Sequence, residues 1–177
     1  MTAGTGADPD GAVLTRPVLD DGPDLWRLAR DCGLDVNSPY AYTLWCRDFA
    51  GTSVIARDAD GTPLGYVIGH LRPAEPATYF LWQVGVAERA RGRRLARRML
   101  DRIAERFADL GVTHLEATVT PDNAASRALF ASFARDHGAE PVWTPLFEHR
   151  HFPAESGGHE PEDLVRIGPL RTAPDPS

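Results

Sequence analysis

A buried strand, a short arginine- and glycine-containing turn and an amphipathic helix follow one another from Tyr79 to Leu110, and this run limits the fold more than any other part of the chain. Tyr79 to Val86 reads as a strand buried on both faces. From Arg93 to Leu110, Leu95, Met99, Ile103 and Phe107 recur at every fourth position, which predicts a helix with one apolar stripe. Gly111 ends it, and Val112 to Thr120 reads as the next strand. A strand, a crossover helix and a further strand point to an α/β architecture.

The remaining pattern extends that reading. Val13 to Val18 is a first strand. Asp21 to Cys32 is a helix with Leu25, Leu28 and Ala29 on one face and Gly33 as its stop. Tyr40 to Phe49 is a second helix. Thr52 to Arg57 and Leu64 to Leu71 form a hairpin around the turn Asp58-Ala59-Asp60-Gly61, and Pro73 and Pro76 mark a loop. Thr120 as N-cap and Pro121 at the first helical position open a helix that runs to His137, with Ala125, Leu129 and Phe133 on one face and Gly138 at its end. Pro141 to Phe147 and Leu164 to Ile167 read as strands. The order β-α-α-β-β-β-α-β-α-β-β predicts a mixed, twisted sheet with helices on both faces. The 177 residues suit a single domain, placed at 13–170, with polar, disordered ends at 1–12 and 171–177.

The bulk chemistry excludes several classes. A formal net charge of −6 argues against general affinity for nucleic acid or an anionic membrane. No apolar stretch approaches the ~20 residues of a membrane helix, and Met1 to Gly11 lacks the pattern of a signal peptide. Cys32 and Cys46 form no C-x-x-C pair and sit beside no histidine cluster, so no metal is expected and the thiols suit a reducing cytoplasm.

Between the buried strand and its helix lies Arg89 to Leu95, in a segment with six arginines between Arg89 and Arg98. A turn entering a helix exposes unpaired backbone N–H groups, and these favour an anion such as a pyrophosphate. Forked arginine donors suit further phosphates. A solvated helix face is the plainer alternative for the same arginines.

Arg91-Gly92-Arg93-Arg94-Leu95-Ala96 resembles the acetyl-CoA loop, R/Q-x-x-G-x-G/A, of the GNAT N-acetyltransferases. Arg91 and Ala96 match, and Arg94 stands where the family usually has glycine. Asn123-Ala124-Ala125-Ser126-Arg127-Ala128-Leu129-Phe130 resembles that family's N-x-x-A/S-x-x-L-Y helix, with Phe130 in place of the tyrosine that serves as acid for the departing thiolate. The resemblance implies a GNAT fold with splayed central strands, acetyl-CoA as co-substrate and no metal. It assigns donor binding to Val84, Gly85 and Val86, to Arg91, Gly92, Arg93, Arg94, Leu95 and Ala96, and to Asn123, Ser126 and Phe130. Asn123 serves equally as a helix cap.

Asp35 to Tyr42, Phe80 to Val84 and His159 to Pro169 carry a narrower resemblance, to the L-2,4-diaminobutyrate N4-acetyltransferases of ectoine biosynthesis. That resemblance runs from about Leu14 to Leu170 and implies acetyl transfer to a small diamino acid, in a homodimer. Such an acceptor carries two ammonium groups and one carboxylate. Asp35, Glu116 and Glu162 offer charge; Asn37, Tyr40, Tyr42, Trp82 and His159 offer hydrogen bonds and a wall. Core packing is the alternative for the aromatic residues. Glu116 lies mid-strand, where a carboxylate is costly unless paired or functional. It is the candidate to bind the ammonium and take its proton, directly or through water. A GNAT enzyme for another amine, such as a polyamine, and a non-catalytic acyl-CoA-binding module are the competing readings.

Overall fold

The apolar pattern becomes seven strands and five α-helices among the described residues, 11–156 and 158–171 of a computed structural model. They run β1 Val13–Thr15, α1 Gly22–Asp31, α2 Pro39–Asp48, β2 Val54–Arg57, β3 Pro63–Arg72 and β4 Glu75–Val86. Then follow α3 Leu95–Ala104, α4 Phe107–Leu110, β5 His114–Val119, α5 Ala124–Asp136, β6 Pro141–Phe147 and β7 Glu162–Ile167. The expected tails fall outside the described residues at 1–10 and 172–177, while Ala12 is buried.

These elements form two compact units. One comprises the chain to His70 with Leu81–Arg106; the other comprises Leu71–Phe80 with the chain from Phe107. In the first unit β1, β2, β3 and the second half of β4 are neighbours in that order. β2 is antiparallel to both β1 and β3, with Thr15 opposite Ile55 and Ala56 opposite Gly65. Helices α1 and α2 cover Ile55, Tyr66 and Ile68 with Leu25, Leu28, Tyr42 and Cys46. Burial pushes the Cys46 thiol up to about 11, helped by the charge of Asp21, and burial also raises Cys32.

In the second unit the first half of β4 is followed by β5, β7 and the edge strand β6. β7 is antiparallel to both its neighbours, with Glu116 opposite Arg166 and Trp143 opposite Val165. Tyr79 packs on Phe107 with ring centroids 5.3 Å apart, and Phe130, Phe133, Leu115 and Ala117 are buried.

Four boundaries differ from expectation for physical reasons. β1 stops at Thr15 because Pro17 lacks an N–H, and the Val18 amide donates to Asp21 at 2.7 Å instead. β4 begins at Glu75, four residues early, since Pro76 is tolerated near a strand's first residue. The expected helix Arg93–Leu110 is broken at Glu105–Arg106. An i+4 stripe drifts by about 40° per step on a straight helix, so by Phe107 it has turned about 120° from Leu95; the break re-aims Phe107. Finally, Thr120 does not cap α5. Its hydroxyl donates to Asp122 at 2.8 Å, while Asn123 Oδ1 accepts from the Ser126 amide at 3.0 Å and caps the helix. Ala125, expected on the buried face, is exposed.

Candidate active site

The loop that leaves β4 keeps its shape through two left-handed residues. Gly92 has φ 76° and Arg94 φ 56°, ψ 22°, and Arg94 is the N-cap of α3. This is the geometry that the missing glycine of the motif would supply, and Arg94 adopts it with an exposed side chain. Leu95, 2% exposed, anchors the helix start from below. Two of the six arginines are committed elsewhere: Arg89 donates to the Pro63 carbonyl at 3.0 Å and Arg97 to Asp101 at 2.8 Å. Arg91, Arg93 and Arg94 stay exposed beside the first-turn amides, an arrangement that fits a diphosphate. An L-residue in the left-handed region costs ~1 kcal/mol, and a β-branched one more. Arg94→Gly is therefore expected to raise the unfolding midpoint slightly and Arg94→Val to lower it. Thermal melts check both, and equal midpoints would mean that the turn is unstrained.

On β4 itself, Trp82 and Gln83 both meet side chains of α2. Trp82 stacks on Trp45 at 4.8 Å and lies 6.5 Å from Tyr42, while the next residue, Gln83, accepts a hydrogen bond from the Tyr42 hydroxyl at 3.1 Å. Tyr66 also donates to Gln83 Oε1, at 2.7 Å, and Gln83 Nε2 donates to the Asp35 carbonyl at 2.9 Å. The Tyr42 hydroxyl accepts from the Asn37 amide at 3.4 Å. Burial raises the Tyr66 phenol, which stays a donor. Asp35, Asn37, Tyr42 and Trp82 are thus brought together in the first unit. Tyr40 is not: it is 73% exposed on the first turn of α2. Two residues further along β4, Gly85 is buried; a Cβ there would meet Tyr66 Cε1 at 2.9 Å and Leu34 Cδ1 at 3.3 Å, while Val84 and Val86 flank it.

In the second unit, Glu116 is buried and both its carboxylate oxygens accept from guanidinium groups. Arg72 Nη1 donates to Oε2 at 3.1 Å and Arg166 Nη1 donates to Oε1. Glu75 closes a quartet, accepting from Arg72 at 3.2 Å and Arg166 at 3.1 Å, and Arg166 draws its carboxyl below the usual range. The sequence offers Glu116 as a base; the structure finds that carboxylate already paired. His159 stacks on Phe152 with centroids 3.8 Å apart, and its Nε2 lies 3.5 Å from Glu162, so these two expected residues meet. Of the expected donor-binding residues on α5, Asn123 is exposed at the cap, Ser126 is half-buried and Phe130 is core, 1% exposed. Sequence reading passed over Gln83 and Tyr66. A lone amide inside an apolar strand was the available signal, because a buried polar group needs partners.

Among the described residues no cluster of His, Cys, Asp and Glu is arranged to hold a metal ion, and no helix is long and apolar enough to cross a membrane.

Comparison with known proteins shows the family. The model of the acetyltransferase (GNAT) family matches residues 22–134. An L-2,4-diaminobutyric acid acetyltransferase of Streptomyces avermitilis is 51% identical over 164 residues, 92% of this chain and 90% of that protein. The Halomonas elongata protein of the same name is 41% identical over 170 residues, 94% of this chain and 86% of its own. Among solved structures, the diaminobutyrate acetyltransferase from Paenibacillus lautus, in complex with its substrate L-2,4-diaminobutyric acid and coenzyme A, superposes with a TM-score of 0.86 at 36% identity, covering 96% of this chain and 100% of that one. The chain therefore belongs to the GNAT acetyltransferases, in the group of the L-2,4-diaminobutyric acid acetyltransferases.

Proposed function

We propose that the protein transfers the acetyl group of acetyl-CoA to the N4 amine of L-2,4-diaminobutyrate, giving N4-acetyl-L-2,4-diaminobutyrate and CoA in ectoine biosynthesis. The observation that carries this reading is the close likeness, over nearly the whole chain, to a structure holding that amino acid and coenzyme A.

The neutral amine attacks the thioester carbonyl, the tetrahedral oxyanion collapses, and CoA leaves as the thiolate. A backbone N–H of β4, within Val84, Gly85 and Val86, serves the oxyanion. The Arg91–Ala96 turn takes the diphosphate, with Asn123 and Ser126 toward the pantetheine arm. Phe130 contributes apolar packing and no proton, so water protonates the thiolate. In the first unit Asp35, Asn37, Tyr42 and Trp82 are the residues assigned to the acceptor; in the second unit the same resemblance assigns His159 and Glu162. Asp35 and Glu162 supply the negative charge that its ammonium groups require. An aliphatic amine has a pKa of ~10, so the attacking form must lose a proton first. Glu116, with both oxygens on arginines, serves as the counter-charge of Arg72 and Arg166, and the amine proton leaves to water.

The setting follows from the same reading: a cytoplasmic homodimer that makes a precursor of a compatible solute under osmotic stress. Exposed Val142, Leu146 and Phe147 on the edge strand β6 support self-association, which sedimentation tests. The reaction is tested by incubating the protein with acetyl-CoA and diaminobutyrate, then identifying the product by mass spectrometry. Acetylation at N4, with release of one thiol per product, is the expected result. Preference for a polyamine would overturn the substrate, and CoA binding without any product would leave a binding module.

A further inference from the structure

We propose that Gln83 is a positioning residue, whose side-chain amide fixes the loop from Leu34 to Asn37 against β4 and so sets where the acceptor amine meets the thioester. The inference rests on the reading of Asp35 and Asn37 as acceptor-binding residues.

Three observations meet at this amide. Its Oε1 accepts from two phenols, Tyr66 at 2.7 Å and Tyr42 at 3.1 Å, and both tyrosines are fully buried. Its Nε2 donates to the backbone carbonyl of Asp35 at 2.9 Å. The loop is then tied at its neighbours: the Asn37 amide donates to the Tyr42 hydroxyl, and Leu34 lies close enough to Gly85 that a Cβ on that glycine would stand 3.3 Å from Leu34 Cδ1. The Leu34 amide is held by the Ala29 carbonyl at 3.0 Å. By contrast, the side chain of Asp35 itself is exposed. The loop's geometry is therefore set through its backbone, leaving the Asp35 carboxylate available to a cation.

The chemistry explains why an amide is needed. Two phenol donors require an acceptor, and a backbone carbonyl requires a donor; only a carboxamide offers both on one planar group of this length. Burial keeps the Tyr66 phenol protonated, so it has a hydrogen to give to Oε1. The orientation of the amide is thereby fixed, with the oxygen to the tyrosines and the nitrogen to the loop.

The test separates positioning from chemistry. Gln83→Leu takes the Oε1 acceptor from two buried phenols and the donor from the Asp35 carbonyl, and should raise the KM for diaminobutyrate about tenfold or more while the KM for acetyl-CoA changes less than about twofold. Gln83→Glu keeps an acceptor for the phenols and loses the donor to Asp35, so the acceptor KM should rise there as well. Tyr66→Phe removes one of two bonds to Oε1, and should show a shift in the same direction of only about two- to threefold. In Gln83→Leu, hydrogen exchange at the amides of Val36 and Asn37 should speed up, a readout independent of turnover. An unchanged acceptor KM with unchanged exchange overturns the proposal, as does an equal rise in both KM values, which would place Gln83 in the donor site. Should Gln83→Leu fail to fold, Gln83→Glu and Tyr66→Phe carry the same test. Asp35→Asn run alongside keeps the two readings apart. If it leaves the acceptor KM unchanged, the acceptor assignment fails; if it raises that KM while the Gln83 variants do not, only the role of Gln83 fails.

Discussion

Glu116→Gln is expected to lower the unfolding midpoint by about 4–8 °C while kcat per folded enzyme stays within about threefold. The side chain of Glu116 is 4% exposed and is shared between Arg72 and Arg166, whose own side chains are 35% and 36% exposed. With Glu75 the group is formally neutral, two guanidinium groups against two carboxylates. Glutamine keeps the shape and one acceptor but removes the buried negative charge, leaving two arginines to share Glu75. Breaking a fully buried pair costs ~3–5 kcal/mol. Here water reaches both arginines and solvates the orphaned charge, so ~2 kcal/mol is the better figure. A companion Arg72→Met should destabilise less, because Arg166 remains on Glu116. A base would leave the opposite signature: a melting point close to that of the unaltered protein with kcat reduced by ~100-fold or more. Thermal melts and saturating-substrate kinetics on the same preparations distinguish the two.

That quartet also marks where sequence reading stops. Arg72, Glu75, Glu116 and Arg166 come from four strands, and their meeting depends on strand order and register, with Glu116 set opposite Arg166. Nothing local announces it. Glu116 stood out as a carboxylate in a central strand, yet the same oddity fits a base or a paired charge, and only the register decides between partners. Elements set by short-range periodicity were legible: α1 with Leu25, Leu28 and Ala29, β6 at Pro141–Phe147, and the stripe Leu95, Met99, Ile103, Phe107, all four residues of which are buried. The break after Ala104 was not, because an i+4 repeat conceals its own angular drift. Arg94 was legible for a different reason. Its place in the motif demanded a left-handed backbone whatever the side chain, and φ 56° is what the chain adopts. Gln83 went unread because it sits among larger neighbours whose aromatic rings drew the inference. Its importance lies in three hydrogen bonds to Tyr42, Tyr66 and Asp35, each distant in sequence.

Gly85→Ala should damage both stability and turnover. The added Cβ would lie 2.9 Å from Tyr66 Cε1 and 3.3 Å from both Tyr66 Cζ and Leu34 Cδ1. The near neighbour is an aromatic ring, 0% exposed, whose hydroxyl is tied to Gln83 at 2.7 Å. It has no flexible end to swing aside. Either the ring moves and loosens the tie to Gln83, or β4 shifts at the segment to which the proposed mechanism assigns the thioester oxygen. Overpacking of this kind costs ~1–3 kcal/mol, and misplacing an oxyanion donor by a fraction of an ångström should lower kcat by at least about tenfold. Relief should come from the ring itself. Tyr66→Leu destabilises alone, since it empties part of the core and strips Gln83 of a donor, but combined with Gly85→Ala it opens room for the new methyl group. The double variant should thus be more stable than the sum of the two single losses by ~1 kcal/mol or more, the coupling expected of residues in direct contact. Strict additivity in denaturant unfolding would mean that Tyr66 does not constrain Gly85, and the loss of turnover would then belong to the strand alone.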